Sequence, residues 1–187
     1  MTDLVDEDAA SEGERWLSRI AVGLAEMGRV SAANGPESKR WRYPGQAALL
    51  AAEGRLFTPA SEPVPDGRLG ALGECWFNAS VFADDHPGAV YVEGWAMAVL
   101  GFEMPHAWCA VGDTAIEPTA GWAGPVVYLG VPFSAAFRRQ QYERYGVGSI
   151  LWEAEVSREW FRDGFPPGAI AEGVGRPLPP VENRAAG

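Results

Sequence analysis

Gly112 and Asp113 limit the fold of this chain more than any other pair of neighbouring residues. They lie between two short apolar segments, "HAWCAV" at 106–111 and "TAIEPT" at 114–119. A two-residue Gly-Asp connection is typical of a tight β-hairpin turn. The sequence therefore predicts two antiparallel strands that are joined directly to each other.

The segments around this hairpin carry helix and strand patterns of their own. The predicted elements are strands at 89–100 and 124–133 and helices at 75–88, 134–146 and 150–164, the last after a short strand. Ser134 is a candidate N-cap for the second helix. Together these elements predict an α+β fold in which a helix packs on a small antiparallel sheet.

The chain divides by composition into three parts. Residues 1–70 are predicted to form an acidic tail and a helical extension, with helices over 10–32 and about 45–54. Residues 71–165 form the core, and the proline-rich residues 166–187 an irregular tail. The acidic N-terminal helix is a candidate contact for a protein partner, or else a helix that packs on the core.

Composition argues against several classes of function. The formal net charge of −10 disfavours binding to nucleic acid and to an anionic membrane surface. No apolar run approaches the roughly 20 residues of a membrane span, and no secretory signal is visible. Two cysteines give no disulfide framework, so we expect a reducing, cytoplasmic location. One lysine against fourteen arginines is typical of high-GC coding and favours a bacterial source.

Three residues that are far apart in the sequence fit the chemistry of a cysteine nucleophile. Cys75 follows Gly73 and is predicted on the first turn of a helix, where partial positive charge and unpaired N–H groups favour a thiolate. A nucleophilic thiol needs a base, and the base needs an orienting group. His106 and Glu117 lie on the two arms of the predicted hairpin, where Glu117 pairs close to Trp108 and reaches the imidazole.

The segments "GECWFNA", "HAWCAV" and "AIEPT" resemble the core of the transglutaminase-like branch of the papain-like superfamily. That family has Gly-x-Cys on a helix, His-Ala-Trp on a strand and Asp-Pro-Thr on the next strand. The resemblance covers about residues 70–133 and implies a papain-like fold with Cys75 as nucleophile, His106 as base and Glu117 as orienting acid. Glu117 stands where the family has aspartate, and its longer side chain can still accept an imidazole N–H.

The resemblance also implies a function, for which the sequence leaves alternatives. The family's chemistry is acyl transfer through a thioester, here from a peptide, amide or thioester substrate and without a cofactor. One alternative is a non-catalytic binding or scaffold protein that retains the fold. Another is an acyltransferase that uses a carrier-protein or coenzyme A thioester, with Arg138, Arg139 and Arg144 as candidate phosphate contacts.

An oxyanion would need hydrogen-bond donors besides the Cys75 N–H. Gln46, Trp76 and Asn78 are candidates by residue type. Glu93, in an otherwise apolar strand, is expected on a solvated face or in the cleft.

Four aromatic residues suggest either an apolar cleft or core packing: Trp95, Trp108, Trp122 and Tyr128. Among other polar residues, Asp113 should point to solvent from the turn. Cys109 faces away from His106 and is expected in the core, and His86 is expected to cap the helix. The spacing of Cys75, His86, His106 and Cys109 matches no zinc-site pattern, so we predict no metal.

Overall fold

The computed structural model describes residues 23, 40–62, 64, 69–97, 103–121, 127–146 and 148–178. These residues form a mixed α+β structure. Its helices are α1 (Gln46–Glu53), α2 (Cys75–Asp85), α3 (Ala135–Tyr145) and α4 (Ala154–Asp163). Its strands are β1 (Arg55–Pro59), β2 (Val90–Met97), β3 (Glu103–Val111), β4 (Thr114–Ile116), β5 (Val127–Phe133) and β6 (Arg176–Pro177).

The sheet closes on itself. Its strand order is β4-β3-β2-β5-β1-β6, and β4 also pairs with β1, so five strands form a barrel-like ring to which β6 is added. All pairs are antiparallel except β1 with β4, whose parallel register places Thr58 opposite Thr114. The pairing of β4 with β1 covers edges that would be unpaired in an open sheet.

The ring encloses a small apolar core around Trp108. Its buried members are Phe57, Val92, Ala96, Trp108, Ala110, Ala115 and Tyr128. A Cβ atom on Gly130 would lie 2.6 Å from a carbon of the Trp108 ring and the same distance from the Glu93 carbonyl oxygen. Gly130 thus leaves room for the indole, and interior packing of this density tolerates no added side chain there.

A second, larger core lies outside the ring, where the helices cover the sheet. Helix α2 packs on β3 and β2, and the Cys109 thiol donates a hydrogen bond to the Ala79 carbonyl over 3.1 Å. Helix α3 begins at the predicted N-cap, because the Ser134 hydroxyl accepts from the N–H of Phe137. It ends at Gly146, whose φ of 67° is the left-handed conformation that favours glycine.

Several predicted elements are confirmed, with the hairpin turn at Gly112 and Asp113 among them. The predicted helices at about 45–54, 75–88, 134–146 and 150–164 correspond to α1, α2, α3 and α4, and the predicted strands to β2, β3, β4 and β5. The α+β class is therefore correct.

Four details were wrong. The sheet is a closed, six-stranded structure with one parallel pair, not a small antiparallel sheet. No strand was predicted at the position of β1, which completes the ring. Residues 150–152 form bends rather than a short strand, because a buried carboxylate accepts the N–H groups of Ile150 and Leu151. The tail contributes β6, which pairs with β1.

Two predictions are not tested by the described residues. The helix over 10–32 lies outside the described residues, except for Gly23, which is helical. The division of the chain at residues 70 and 165 stays a prediction, although β1 and β6 share the sheet of the central segment.

Candidate active site

Cys75 is the first residue of α2. Gly73 turns the chain with a φ of 88°, and the helix then begins with the N–H of Asn78 donating to the Glu74 carbonyl over 2.8 Å. The first N–H groups of a helix have no partner within the helix. The Cys75 thiol therefore sits at the positive end of the helix dipole, while the residue as a whole is only 7 % exposed.

His106 lies between Cys75 and Glu117. Its Nε2 atom is 2.6 Å from Oε2 of Glu117, and its ring also interacts with the Cys75 side chain. Because Nε2 contacts the carboxylate, the other ring nitrogen, Nδ1, is the one that could exchange a proton with the thiol. The three predicted site residues thus come together from α2, β3 and the residue after β4, with His106 between the other two.

The surroundings of His106 favour its protonated form. Burial alone lowers the pKa of His106, but the hydrogen bonds to Cys75 and Glu117 and the charge of Glu117 outweigh burial and raise it from 6.5 to about 9. A more basic imidazole favours transfer of the thiol proton to the ring, which gives a pair of thiolate and imidazolium.

Glu117 is positioned by more than the histidine. Its Oε1 atom accepts from the backbone N–H of Thr119 over 2.9 Å, and Oε2 also accepts from the Tyr128 hydroxyl over 3.3 Å. The register of β3 with β4, Cys109 opposite Ile116, carries Glu117 alongside Trp108 as the hairpin predicted. The extra methylene relative to aspartate is accommodated without loss of the contact with His106.

Asn78 joins the cysteine helix to the segment that carries Glu117, a role that the sequence analysis missed. Its amide Nδ2 donates to the carbonyl of Ala71 over 2.8 Å and to the hydroxyl of Thr119 over 3.2 Å. Gly70 leaves room for this amide, since a Cβ there would lie 1.9 Å from Asn78 Oδ1. The available signal was the asparagine one helical turn after Cys75.

Glu93 is fully buried, whereas the sequence analysis expected it on a solvated face or in the cleft. Its carboxylate accepts from the hydroxyls of Tyr91 (2.7 Å) and Ser149 (2.9 Å). It also accepts from the backbone N–H groups of Ile150 (2.7 Å) and Leu151 (2.9 Å). Burial raises the pKa of Glu93, and these four donors oppose the rise. Glu93 therefore fixes residues 149–151 against β2.

The candidate oxyanion donors differ in whether their side-chain N–H groups already donate to another residue. Gln46 donates to the Leu151 carbonyl over 3.3 Å, and Asn78 holds Ala71 and Thr119. The indole N–H of Trp76 is buried and has no acceptor among the residues that the structure describes. No second oxyanion donor is assigned by this geometry beyond the N–H of Cys75.

The remaining polar candidates have structural partners. Burial raises the pKa of Cys109, and His86 ends α2 with its Nδ1 atom 2.9 Å from the Phe82 carbonyl. Asp113 is more than half exposed, as predicted for the turn. In the described part of the chain, no three His, Cys, Asp or Glu side chains form a group that could hold a metal ion.

The three arginines that are candidate phosphate contacts are engaged in ion pairs. Arg138 and Arg139 both contact Asp84, with N–O distances of 2.6 and 2.7 Å. Arg144 lies 3.2 Å from Glu159. Arg138 is also mostly buried, with its guanidinium over the ring of Tyr91, so the cluster offers less cationic surface than its sequence suggested.

The aromatic candidates belong to the cores. Trp108 and Tyr128 are buried inside the ring and Trp95 outside it, whereas Trp122 lies outside the described residues.

Comparisons with known proteins add no assignment to this geometry. None of the helices in the described ranges is both long enough and apolar enough to cross a membrane. No protein-family model, curated protein or solved structure matches the chain.

Proposed function

We propose that the protein is a cysteine-dependent acyl-transfer enzyme with a papain-like, transglutaminase-like core. The observation that carries the proposal is the position of His106 between Cys75 and Glu117, with a hydrogen bond to Glu117 and an interaction with Cys75. A nucleophile at a helix N-terminus, a base within hydrogen-bond reach and a carboxylate behind the base are the three parts that this chemistry needs. The substrate is a peptide, amide or thioester carbonyl.

The reaction proceeds in two halves. His106 takes the thiol proton, and the Cys75 sulfur attacks the carbonyl carbon to give a tetrahedral intermediate whose oxyanion accepts from the Cys75 N–H. His106 returns the proton to the leaving amine or thiol, and a thioester with Cys75 remains. Water or an amine then loses a proton to His106 and attacks the thioester, which releases the acyl group and restores the thiol.

Glu117 keeps the imidazole in a productive orientation throughout. Its carboxylate accepts from Nε2, so Nδ1 stays directed at the sulfur in both the neutral and the protonated ring. The negative charge of Glu117 stabilises the imidazolium that exists whenever the sulfur is a thiolate.

A non-catalytic binding protein is the second candidate, because the Cys75 residue is only 7 % exposed and belongs to the outer core. A fold can persist where its chemistry has been lost. The two candidates differ in one measurable property, the reactivity of the Cys75 thiol in the folded protein.

Alkylation by iodoacetamide, followed by intact mass between pH 6 and 9, tests the proposal. We expect Cys75 to react rapidly at pH 6 to 7, where an ordinary thiol with a pKa of about 8.5 is almost entirely protonated. His106→Ala should slow this reaction at least tenfold. Cys75→Ala identifies the modified site, and the buried Cys109 should stay unmodified in the folded chain.

Two results would contradict the proposal. One is a Cys75 that reacts only after unfolding, which favours the binding protein. The other is a reaction whose pH profile is the same in His106→Ala, which means that the histidine does not activate the sulfur.

A further inference from the structure

A groove next to Cys75 has no role in the site described so far. It lies between α2, α3 and residues 148–153 and has a volume of about 560 Å³. Glu74 and Trp76, the two chain neighbours of Cys75, both line it. The face of α2 that lines the groove is distinct from the face that packs Cys75 and Ala79 on the sheet.

The groove concentrates exposed apolar side chains. Phe77, Val81 and Tyr142 line it and are 64 %, 42 % and 63 % exposed. They are three of the five large hydrophobic residues that are exposed within the described ranges. Apolar surface that gathers in one concave place marks a binding site rather than ordinary surface.

The walls of the groove are fixed before any ligand arrives. Asp84 on α2 holds Arg138 on α3 through a contact of 2.6 Å. Glu93 holds the third wall through Ser149, whose hydroxyl also accepts the N–H of Trp152 over 2.9 Å. A preformed groove of this kind loses little conformational entropy on binding.

The charges that line the groove indicate the kind of ligand that it binds. Four carboxylates and two guanidinium groups line it, so its formal charge is −2. Both arginines are paired with Asp84. Glu74, Glu143 and Glu153 have no ion-pair partner among the residues described. Aromatic faces and unpaired carboxylates together attract an organic cation.

We infer that this groove binds a cationic side chain, a guanidinium or an alkylammonium group, of a peptide substrate close to the carbonyl that Cys75 attacks. The inference rests on the proposed function for the identity of the reacting carbonyl. The binding step itself depends only on the groove. A cation over Tyr142 and Phe77, near Glu143 or Glu153, would combine cation–π attraction with charge pairing.

Titration calorimetry with two short peptides tests the inference. The probes are acetyl-Ala-Arg-Ala-amide and the same peptide with citrulline, which has nearly the shape of arginine but no charge. We expect the arginine peptide to bind about tenfold more tightly, with equal affinity for the natural chain and for Cys75→Ser. The double variant E143Q/E153Q should remove most of this preference.

A matched variant separates the groove from the total charge of the chain. E155Q/E172Q removes two exposed carboxylates outside the groove and changes net charge by the same amount, so it should keep the preference. Equal binding of both peptides, no binding of either at millimolar concentration, or equal losses in the two double variants would overturn the inference.

The outcomes for the groove and for the enzyme are distinguishable. If the arginine peptide binds selectively but Cys75 is inert to iodoacetamide, the groove is supported and the proposed chemistry fails. If Cys75 shows the expected reactivity and neither peptide binds, the groove proposal alone fails.

Discussion

Glu93, on β2, and Glu117, the residue after β4, are two glutamates with opposite surroundings. Glu93 is fully buried and accepts from four groups, none of which changes protonation near neutral pH. Glu117 is 18 % exposed and contacts a histidine whose pKa is raised to about 9. The number and kind of donors, rather than the residue type, decide which carboxylate holds a loop and which can serve chemistry.

The largest expected effect is on stability, from Glu93→Ala. The variant leaves two hydroxyls and two backbone N–H groups buried without their acceptor, and we expect a loss of about 4 kcal/mol in the free energy of unfolding. Urea denaturation measures it. Glu93→Gln, which keeps one acceptor oxygen, should lose about half as much and serves if the alanine variant does not fold.

Glu117→Ala is the matched control for that change. Because Glu117 is partly exposed, water can replace its contacts, and we expect well under half the loss found for Glu93→Ala. A Glu117→Ala variant that is as unstable as Glu93→Ala would remove the distinction between the two carboxylates.

The next largest effect is on the pH dependence of stability. A histidine whose pKa is raised from 6.5 to about 9 in the folded chain contributes stability fully below pH 6.5 and loses it as pH rises through 9. The contribution is at most about 3 kcal/mol. The difference in unfolding free energy between the natural chain and His106→Asn should therefore shrink between pH 6 and pH 10. A difference that stays constant over this range would show that His106 is not held protonated.

A smaller effect is expected on reactivity, from Glu117→Gln. The amide can still accept from Nε2 but carries no charge, so the imidazolium is less favoured and alkylation of Cys75 at pH 6.5 should slow about tenfold, or about 1.4 kcal/mol. Glu93→Gln, the corresponding change in the other carboxylate, should alter the rate less than about threefold. If the two variants slow alkylation equally, the comparison between the glutamates fails.

The smallest effect is expected from Tyr128→Phe. The hydroxyl lies 3.3 Å from Glu117, a long contact beside the 2.6 Å bond to His106. Its removal should change the free energy of unfolding by less than about 1 kcal/mol and the alkylation rate less than twofold. A tenfold loss of rate would mean that the tyrosine contributes far more to the position of Glu117 than a contact of 3.3 Å indicates.

Local sequence patterns were sufficient to predict most of the helices and strands near the candidate site. The hairpin turn set the register that brings Glu117 to His106, because a two-residue turn leaves no freedom in the pairing of its strands. The start of α2 at Cys75 followed from Gly73 in the same way. What these short segments could not reveal is the contact of Asn78 with Thr119, which are 41 residues apart.

The sequence by itself determined the helices, the strands of the hairpin and the order of cysteine, histidine and acid, since each depends on residues close together in the chain. Only the tertiary structure decided the parallel pairing of β1 with β4 and the burial of Glu93 under residues 149–151. Both depend on contacts between segments 55 to 60 residues apart, and no local spacing encodes which distant backbone donors will meet a carboxylate.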